Sequence, residues 1–399
     1  EIEFKPFLND VVASVLVASC NYSEDSIQDD IESSSPYSDR AIFYLSELFS
    51  KRTNYQSLVT KLSQEMIQSE EWNCRRSALS AIYQLLNSCE TGLDTYLDDI
   101  YPIIQEHLSD PNHLCRYYSF KSISELCSSY SLYVSQYTQT LIPLVIEVSK
   151  AEVDHQTKVV ELESLESLCS NVPTESILQF TQSIIEELLP QIEDPNSTLM
   201  EQLMIIKCMS KIALSTETNF DQFYSESIGW LKTAIEQIEP GNDDLVRIQS
   251  IKTISLVGKT VNLELFLDDG VGFLNHLLGE VFFVSGDNEK SSILYLIQEM
   301  SSILPQEVFT QFIPPIFNIL EAVLSKELDV EEYPLSYDIS FLSDKILIQL
   351  RSENKITSYS RPQLSLNQDC IDTVIVLIEN LKGLILTNVR PISKLASSF

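Results

Sequence analysis

Arg75 and Arg116 stand forty-one residues apart, each at the head of one of two matching segments. The first reads Asn73-Cys74-Arg75-Arg76-Ser77-Ala78-Leu79-Ser80-Ala81-Ile82 and the second Leu114-Cys115-Arg116-Tyr117-Tyr118-Ser119-Phe120-Lys121-Ser122-Ile123. Apolar residues fall four and seven positions after each arginine and recur at Leu85 and Leu126, the spacing of a helix with one buried stripe. Each segment follows another amphipathic run and a short turn. A two-helix unit repeating every ~40–47 residues cannot bury its apolar face alone, so the units must stack. The expected fold is therefore all-α: a HEAT-repeat α-solenoid of about eight helix pairs wound as a right-handed superhelix.

Carried along the chain, this ruler places pairs at 4–19 with 37–49, 54–69 with 73–88, 93–109 with 113–130, and 133–149 with 154–171. It continues through 174–193 with 197–215, 219–238 with 243–260, 262–283 with 288–304, and 306–325 with 366–386. Asp110-Pro111, Asp194-Pro195 and Gly241-Asn242-Asp243-Asp244 punctuate it, since Asp and Asn cap the next helix and Pro suits a first turn. Pro102, Pro143, Pro190 and Pro314 fall in first helices, which they are expected to bend or shorten. In the later second helices, Lys158 and Arg247 take the place of Arg75 and Arg116. A cation there is expected to bond to carboxylates and carbonyls of the neighbouring turn, which makes Arg75, Arg116 and Arg247 inter-repeat structural residues.

A chain of 399 residues exceeds the ~250–300 at which a single core stops growing, a limit that a stacked array avoids. The formal charge of -32 argues against nucleic acid as a direct partner and favours basic proteins. Neither an eighteen-residue apolar run nor a secretion leader is evident, so the expected compartment is cytoplasm or nucleus, without membrane insertion. Eight cysteines without a CxxC read as buried free thiols, and His107, His113 and Cys115 lack the fourth ligand of a zinc site, so no metal or other cofactor is expected. There is no Gly-rich phosphate loop, GxSxG or HExxH, which leaves no catalytic residue to nominate and argues against an enzyme. Both ends lack a polar cap, so 1–399 is expected to be one array cut from a longer solenoid.

Two acidic stretches interrupt the period. Residues 20–39 hold Asp25, Asp29, Asp30 and Glu32 among serines and are expected to form a mobile loop. Residues 326–367 surround a partly apolar middle with Tyr333, Tyr337, Phe341 and Leu342, expected to pack in part on the solenoid.

The segment from Glu71-Trp72 to Ile82, the stretch Leu108-Ser109-Asp110-Pro111-Asn112-His113-Leu114-Cys115-Arg116-Tyr117, and Ile251-Lys252-Thr253-Ile254-Ser255-Leu256-Val257-Gly258 resemble the importin-beta (karyopherin-beta) nuclear transport receptors. The likeness is to their importin-five or karyopherin beta-three branch, and the order of segments and both acidic insertions also look the same. Family receptors are roughly twice this long or more, so the chain looks like a middle fragment. The resemblance implies a monomeric receptor that shuttles between cytoplasm and nucleus, with basic cargo such as ribosomal proteins or histones, release by Ran-GTP, and phenylalanine-glycine nucleoporins in slots between first helices that Tyr137 or Phe180 could line. It also implies that the 20–39 loop, through Asp25, Asp29, Asp30 and Glu32, contacts Ran, although this copy is shorter and richer in serine than the family's.

Cargo in this family binds the concave wall of second helices. Positions five and nine after the repeat arginine give Ser80 and Gln84, Lys121 and Glu125, Glu163 and Ser167, then Lys207 and Lys211, a mixed column. Glu125, Asp154, Glu161 and Glu163 are the carboxylates expected to anchor a lysine-rich signal. A HEAT-repeat scaffold, such as a phosphatase regulatory subunit or a chromosome-organising protein, is the alternative reading.

Overall fold

The computed structural model describes residues 5–20, 37–49, 53–89, 92–192, 194–238, 244–324, 330–334, 345–350 and 355–381. The chain divides into two compact units, Glu1–Thr216 and Glu217–Phe399.

The first unit holds five helix pairs: α1 (Lys5–Ser19) with α2 (Tyr37–Phe49), α3 (Thr53–Met66) with α4 (Trp72–Ser88), α5 (Leu97–His107) with α6 (His113–Ser129), α7 (Thr138–Ala151) with α8 (His155–Asn171), and α9 (Thr181–Ile192) with α10 (Leu199–Thr216). The second holds three: α11 (Tyr224–Gln237) with α12 (Leu245–Thr260), α13 (Leu263–His276) with α14 (Asp287–Ile303), and α15 (Ile313–Leu324) with α16 (Arg361–Leu381). This is the HEAT-repeat arrangement. Second helices stack on one another, α4 on α6, α6 on α8 and α8 on α10, and in the second unit α14 on α16. Each is therefore buried on more than one side: Phe120, Ile123, Leu126 and Cys127 of α6 are all inaccessible to water. A buried Leu, Ile or Phe contributes roughly 1.5–3 kcal/mol, so the stacking of neighbours carries most of the stability.

The helix starts follow from their caps. Asn112 accepts from the Leu114 amide at 2.9 Å, Asp154 from Thr157 at 2.8 Å, and Asp244 from Val246 at 2.9 Å. Ahead of α10, Thr198 and Glu201 bond reciprocally, the Thr198 amide to the carboxylate at 2.8 Å and the Glu201 amide to the hydroxyl at 3.3 Å. That is a capping box, and it satisfies two amides that would otherwise lack partners.

First helices are shorter than the periodicity predicts. Short turns at Ser131–Val134, Thr174–Leu178 and Gln306–Phe309 precede α7, α9 and α15 as separate pieces. Pro102 and Pro143 sit in the second turn of α5 and α7, where a proline removes one backbone donor and crowds the carbonyl four residues earlier. At α7 the break falls a turn upstream, and the result is a helix in two pieces. The stretch Gln306–Leu324 has the length and mean hydropathy, 1.2, of a membrane span. Its Phe309, Phe312, Ile313, Ile316, Phe317, Ile319 and Leu320 are buried in the second unit, as in a core helix.

The second insertion contains an antiparallel sheet of order β1-β3-β2, formed by Val330–Pro334, Lys345–Leu350 and Lys355–Ser360. Tyr333 is opposite Ile356, and Ile346 opposite Tyr359. The sheet is the one departure from helix among the described residues, and α16 follows β3 directly, several residues before the predicted start. The short apolar, β-branched run Ile346-Leu347-Ile348 and the short gap between Leu350 and Lys355 are the strand and hairpin signal that helical periodicity hid. Tyr337, Phe341 and Leu342 lie outside the described residues, as do Asp25, Asp29, Asp30 and Glu32 of the first insertion.

Candidate binding face

The repeat cations bridge neighbouring pairs. Arg75 of α4 forks onto Asp110, in the turn before α6, at 2.8 and 3.0 Å, and donates to the Ser69 and Glu70 carbonyls at 3.0 and 2.9 Å. Arg116 of α6 repeats this with Glu152 at 2.7 and 2.9 Å and with the Asp110 and Pro111 carbonyls at 2.7 and 3.1 Å. In the second unit, Arg247 of α12 meets Glu289 of α14 at 2.6 Å and the Ile238 carbonyl at 3.1 Å. Planar guanidinium matches carboxylate geometry, and for Arg75 and Arg116 the carbonyls absorb the remaining donors, whereas Nη2 of Arg247 is buried without a hydrogen-bond partner. Burial pushes Asp110 up, but Arg75 and the Asn112 amide outweigh it and hold the carboxyl below its usual range.

Lys158 takes the arginine's place in α8, yet His155 is the side chain that reaches the next acid, Glu201, at 2.8 Å. An ammonium lacks the fork that grips both a carboxylate and the carbonyls behind it.

Small polar side chains and thiols complete the contact between second helices. Cys115 donates to the Trp72 carbonyl at 3.4 Å, Cys208 to Leu162 at 3.2 Å, and Ser215 to Cys169 at 2.7 Å. All eight cysteines are free, with Cys20 and Cys74 partly exposed and the other six buried. Burial pushes the Cys169 and Cys370 thiols up to about 12, which leaves them inert. Among the described residues, no cluster of His, Cys, Asp and Glu is arranged to hold a metal ion.

Of the four carboxylates expected to anchor a basic ligand, the structure brings two together. Glu163 of α8 accepts from Lys121 of α6 at 3.3 Å, and the Lys121 ammonium lies 5.9 Å from the centre of the Tyr117 ring. Glu125, one turn after Lys121, is half-buried; burial pushes its carboxyl up, Lys121 opposes and the Glu163 charge adds to the rise. One cation thus stands between two carboxylates, beside an aromatic ring. The next rung repeats the pairing, with Lys211 of α10 and Glu166 of α8 at 3.6 Å.

Asp154 is elsewhere. It caps α8 and lies 3.4 Å from His113, and these bonds hold its carboxyl below the usual range despite a burial that would raise it. Glu161 corrects the expectation: it is 1% exposed and cannot meet a partner. Burial pushes its carboxyl up to about 8, with Ser149 and Lys158 opposing and Glu152 and Glu187 adding to the rise. The folded chain therefore keeps a proton that the unfolded chain, near 4.5, releases. The associated stability is complete below that value and is lost as pH climbs through about 8. Glu161→Gln should flatten this fall, gaining roughly 3–5 kcal/mol over the parent above the folded pKa and little in mild acid. Paired thermal melts across the window check this, and parallel pH profiles would sink it.

Sequence reasoning did not find the aromatic ring at the pair. Tyr117 precedes Lys121 by four residues on α6, a spacing that puts ring and ammonium on one face, and the packing of α6 on α8 adds Glu163. Just ahead of the first helices α7 and α9, Tyr137 stacks on Tyr101 with ring centres 4.2 Å apart, and Phe180 is half-buried.

No family model matches the chain. Among solved structures, karyopherin Kap121p bound to Pho4p superposes with a TM-score of 0.77 at 15% identity, covering 97% of this chain and 38% of that one. Kap121p bound to Nup53p gives the same figures, TM-score 0.77, 15%, 97% and 38%. A Kap121p variant with three acidic residues replaced by lysine gives 0.79, with 15% identity over 97% of this chain and 38% of that one. The chain is a HEAT-repeat α-solenoid of the kind seen in karyopherins. It spans about 38% of the length of the solved chains that it matches.

Proposed function

We propose that the chain is part of a karyopherin-type nuclear transport receptor, and that the α6–α8 face of its first unit takes lysine-rich segments of protein cargo. The observation that carries this reading is the pair Glu125 and Glu163 beside Tyr117, on the same stack of second helices that the karyopherin likeness covers. Carboxylates with an adjacent ring suit an ammonium on a flexible stem. The net charge of -32 adds long-range attraction for basic partners.

In this reading, ribosomal proteins and histones are the cargo class, the chain works as a monomer, and the whole receptor releases cargo to Ran-GTP, with Asp25, Asp29, Asp30 and Glu32 as Ran contacts. Phenylalanine-glycine nucleoporins enter apolar slots; a cavity of about 200 Å³ in the second unit, lined by Phe282, Phe283, Val323 and Leu366, has the right chemistry. Asp154 keeps a secondary place as a half-exposed carboxylate at the start of α8. Shuttling through the nuclear pore places the protein in cytoplasm and nucleus.

Reversing charge at Glu125 and Glu163 together should weaken binding of a lysine-rich peptide about tenfold at low salt, each partly exposed carboxylate being worth up to ~1 kcal/mol. Fluorescence anisotropy at two ionic strengths reads this, and an unchanged affinity at low salt rejects the assignment of the face. Release of the bound peptide from the longer protein by GTP-loaded, but not GDP-loaded, Ran separates a transport receptor from a HEAT-repeat scaffold.

A further inference from the structure

Lys121 and Glu163 differ in exposure in a way that most lysine pairs among the described residues do not, Lys290–Asp287 at 17% and 32% being another case. The Lys121 side chain is 17% exposed, whereas its acceptor is 42% exposed. By contrast, Lys150 of the Lys150–Glu187 pair is 64% exposed over a carboxylate at 13%. In the first pair the cation is inside and the anion keeps an open side. The ammonium sits over Tyr117, itself buried, and is the counter-charge of both Glu163 and Glu125. A ring face, a carboxylate at hydrogen-bond distance and a second carboxylate one turn away are what a protein uses to hold a foreign lysine. Here the lysine it holds is its own.

We infer that Lys121 is a resident occupant of a lysine clamp formed by Tyr117, Glu125 and Glu163, and that an incoming cargo lysine binds by displacing it. This rests on the reading of the α6–α8 face given above and specifies how that face is regulated. The resident cation sets a threshold. A single stray lysine gains nothing by exchanging with Lys121, because the contacts made equal the contacts broken. A segment with several spaced lysines gains from the open side of Glu163 and can exchange at Glu166 as well, where Lys211 is the resident, so that several exchanges are tied to one chain. The clamp therefore discriminates by lysine density rather than by single charges.

The alternative is that Lys121 simply ties α6 to α8. The two differ in sign. If Lys121 is an occupant, Lys121→Ala vacates the clamp and tightens a lysine-rich peptide by about fivefold at low salt, the worth of one ion pair with cation–π contact. A structural tie predicts unchanged or weaker binding.

The test uses the full chain and a fluorescent lysine-rich peptide, with its acetyl-lysine counterpart as control. Lys121→Met keeps the stem that covers Tyr117 and should tighten binding as well, which guards against a folding defect in the alanine variant. In Lys121→Ala/Glu163→Gln the gain should vanish. Tighter binding by both single variants, lost in the double, supports the inference, including the case in which the parent does not bind at all. Parent binding that the single variants leave equal or weaken overturns the inference but leaves the binding face standing. A gain that survives Glu163→Gln overturns the clamp, and no binding by any form overturns both clamp and face.

Discussion

Arg247→Met is expected to destabilise the second unit by about 3–5 kcal/mol, because it takes the guanidinium away from a carboxylate in the core. Arg247 and Glu289 are each 1% exposed, with the guanidinium Nε 2.6 Å from the carboxylate. Arg247 also donates to the Ile238 carbonyl, and its own amide is held by Asp244 at 3.0 Å. The pair's net worth is smaller than that cost, since desolvating two charges offsets most of their attraction. Arg247→Met/Glu289→Leu should therefore recover most of the lost stability. Arg75→Met should cost less, about 1–2 kcal/mol: Asp110 is 3% exposed, but it keeps the Asn112 amide at 2.8 Å as a donor, and the pair opens to water on the side of Arg75, which is 15% exposed. One tryptophan lies in each unit, Trp72 and Trp230. In a Trp72→Phe background, urea unfolding followed by Trp230 fluorescence reports on the unit concerned. A single variant as stable as its parent, or a double variant worse than the single, would reject this account.

The arginine ruler made the helix pairs legible because residues facing a stacked neighbour must recur with the repeat. Its acidic partners were less legible. Asp110, Glu152 and Glu289 follow their arginines by 35, 36 and 42 residues, since they lie in turns or first turns of variable length. Glu161 and Glu163 show the limit of reading charge as surface. At 100° per residue they point about 200° apart around α8, and a helix packed on both sides buries one of them. Tyr117, Lys121 and Glu125 share one face of α6 at four-residue spacing, but the fourth member of the clamp, Glu163, depends on which faces of α6 and α8 meet, and no spacing within either helix contains that. The sheet at 330–360 was missed for a different reason: a ruler set to the helical period reads a short alternating strand as noise.

Phe266→Ala should cost about 3–5 kcal/mol, and Gly258→Ala a smaller amount through the same contact. Phe266 of α13 is inaccessible to water and fills a notch whose walls are glycines. A Cβ at Gly258 of α12 would lie 2.5 Å from the ring Cζ, and one at Gly270 would lie 2.9 Å from Cε1. On the far side, the Tyr224 ring meets Phe266 edge-on, with centres 6.4 Å apart at 76°. Removing the ring therefore opens a cavity bounded by rigid helices that cannot collapse into it. For Gly258→Ala two terms compete. Alanine favours a helix by about 1 kcal/mol, but overpacking against a ring confined on three sides costs about 1–3 kcal/mol, and a Cβ this close lies toward the upper end. The net expectation is a loss of roughly 1–2 kcal/mol, whereas Gly229, with no heavy atom near its Cβ position, should gain from the same change. Shortening the ring should remove the conflict. In Gly258→Ala/Phe266→Leu the combined loss should fall short of the sum of the single losses by about 1 kcal/mol, the coupling expected of residues in direct contact. Denaturant unfolding of the four forms, read through Trp230, decides it. Strict additivity would mean that the notch does not set the α12–α13 spacing.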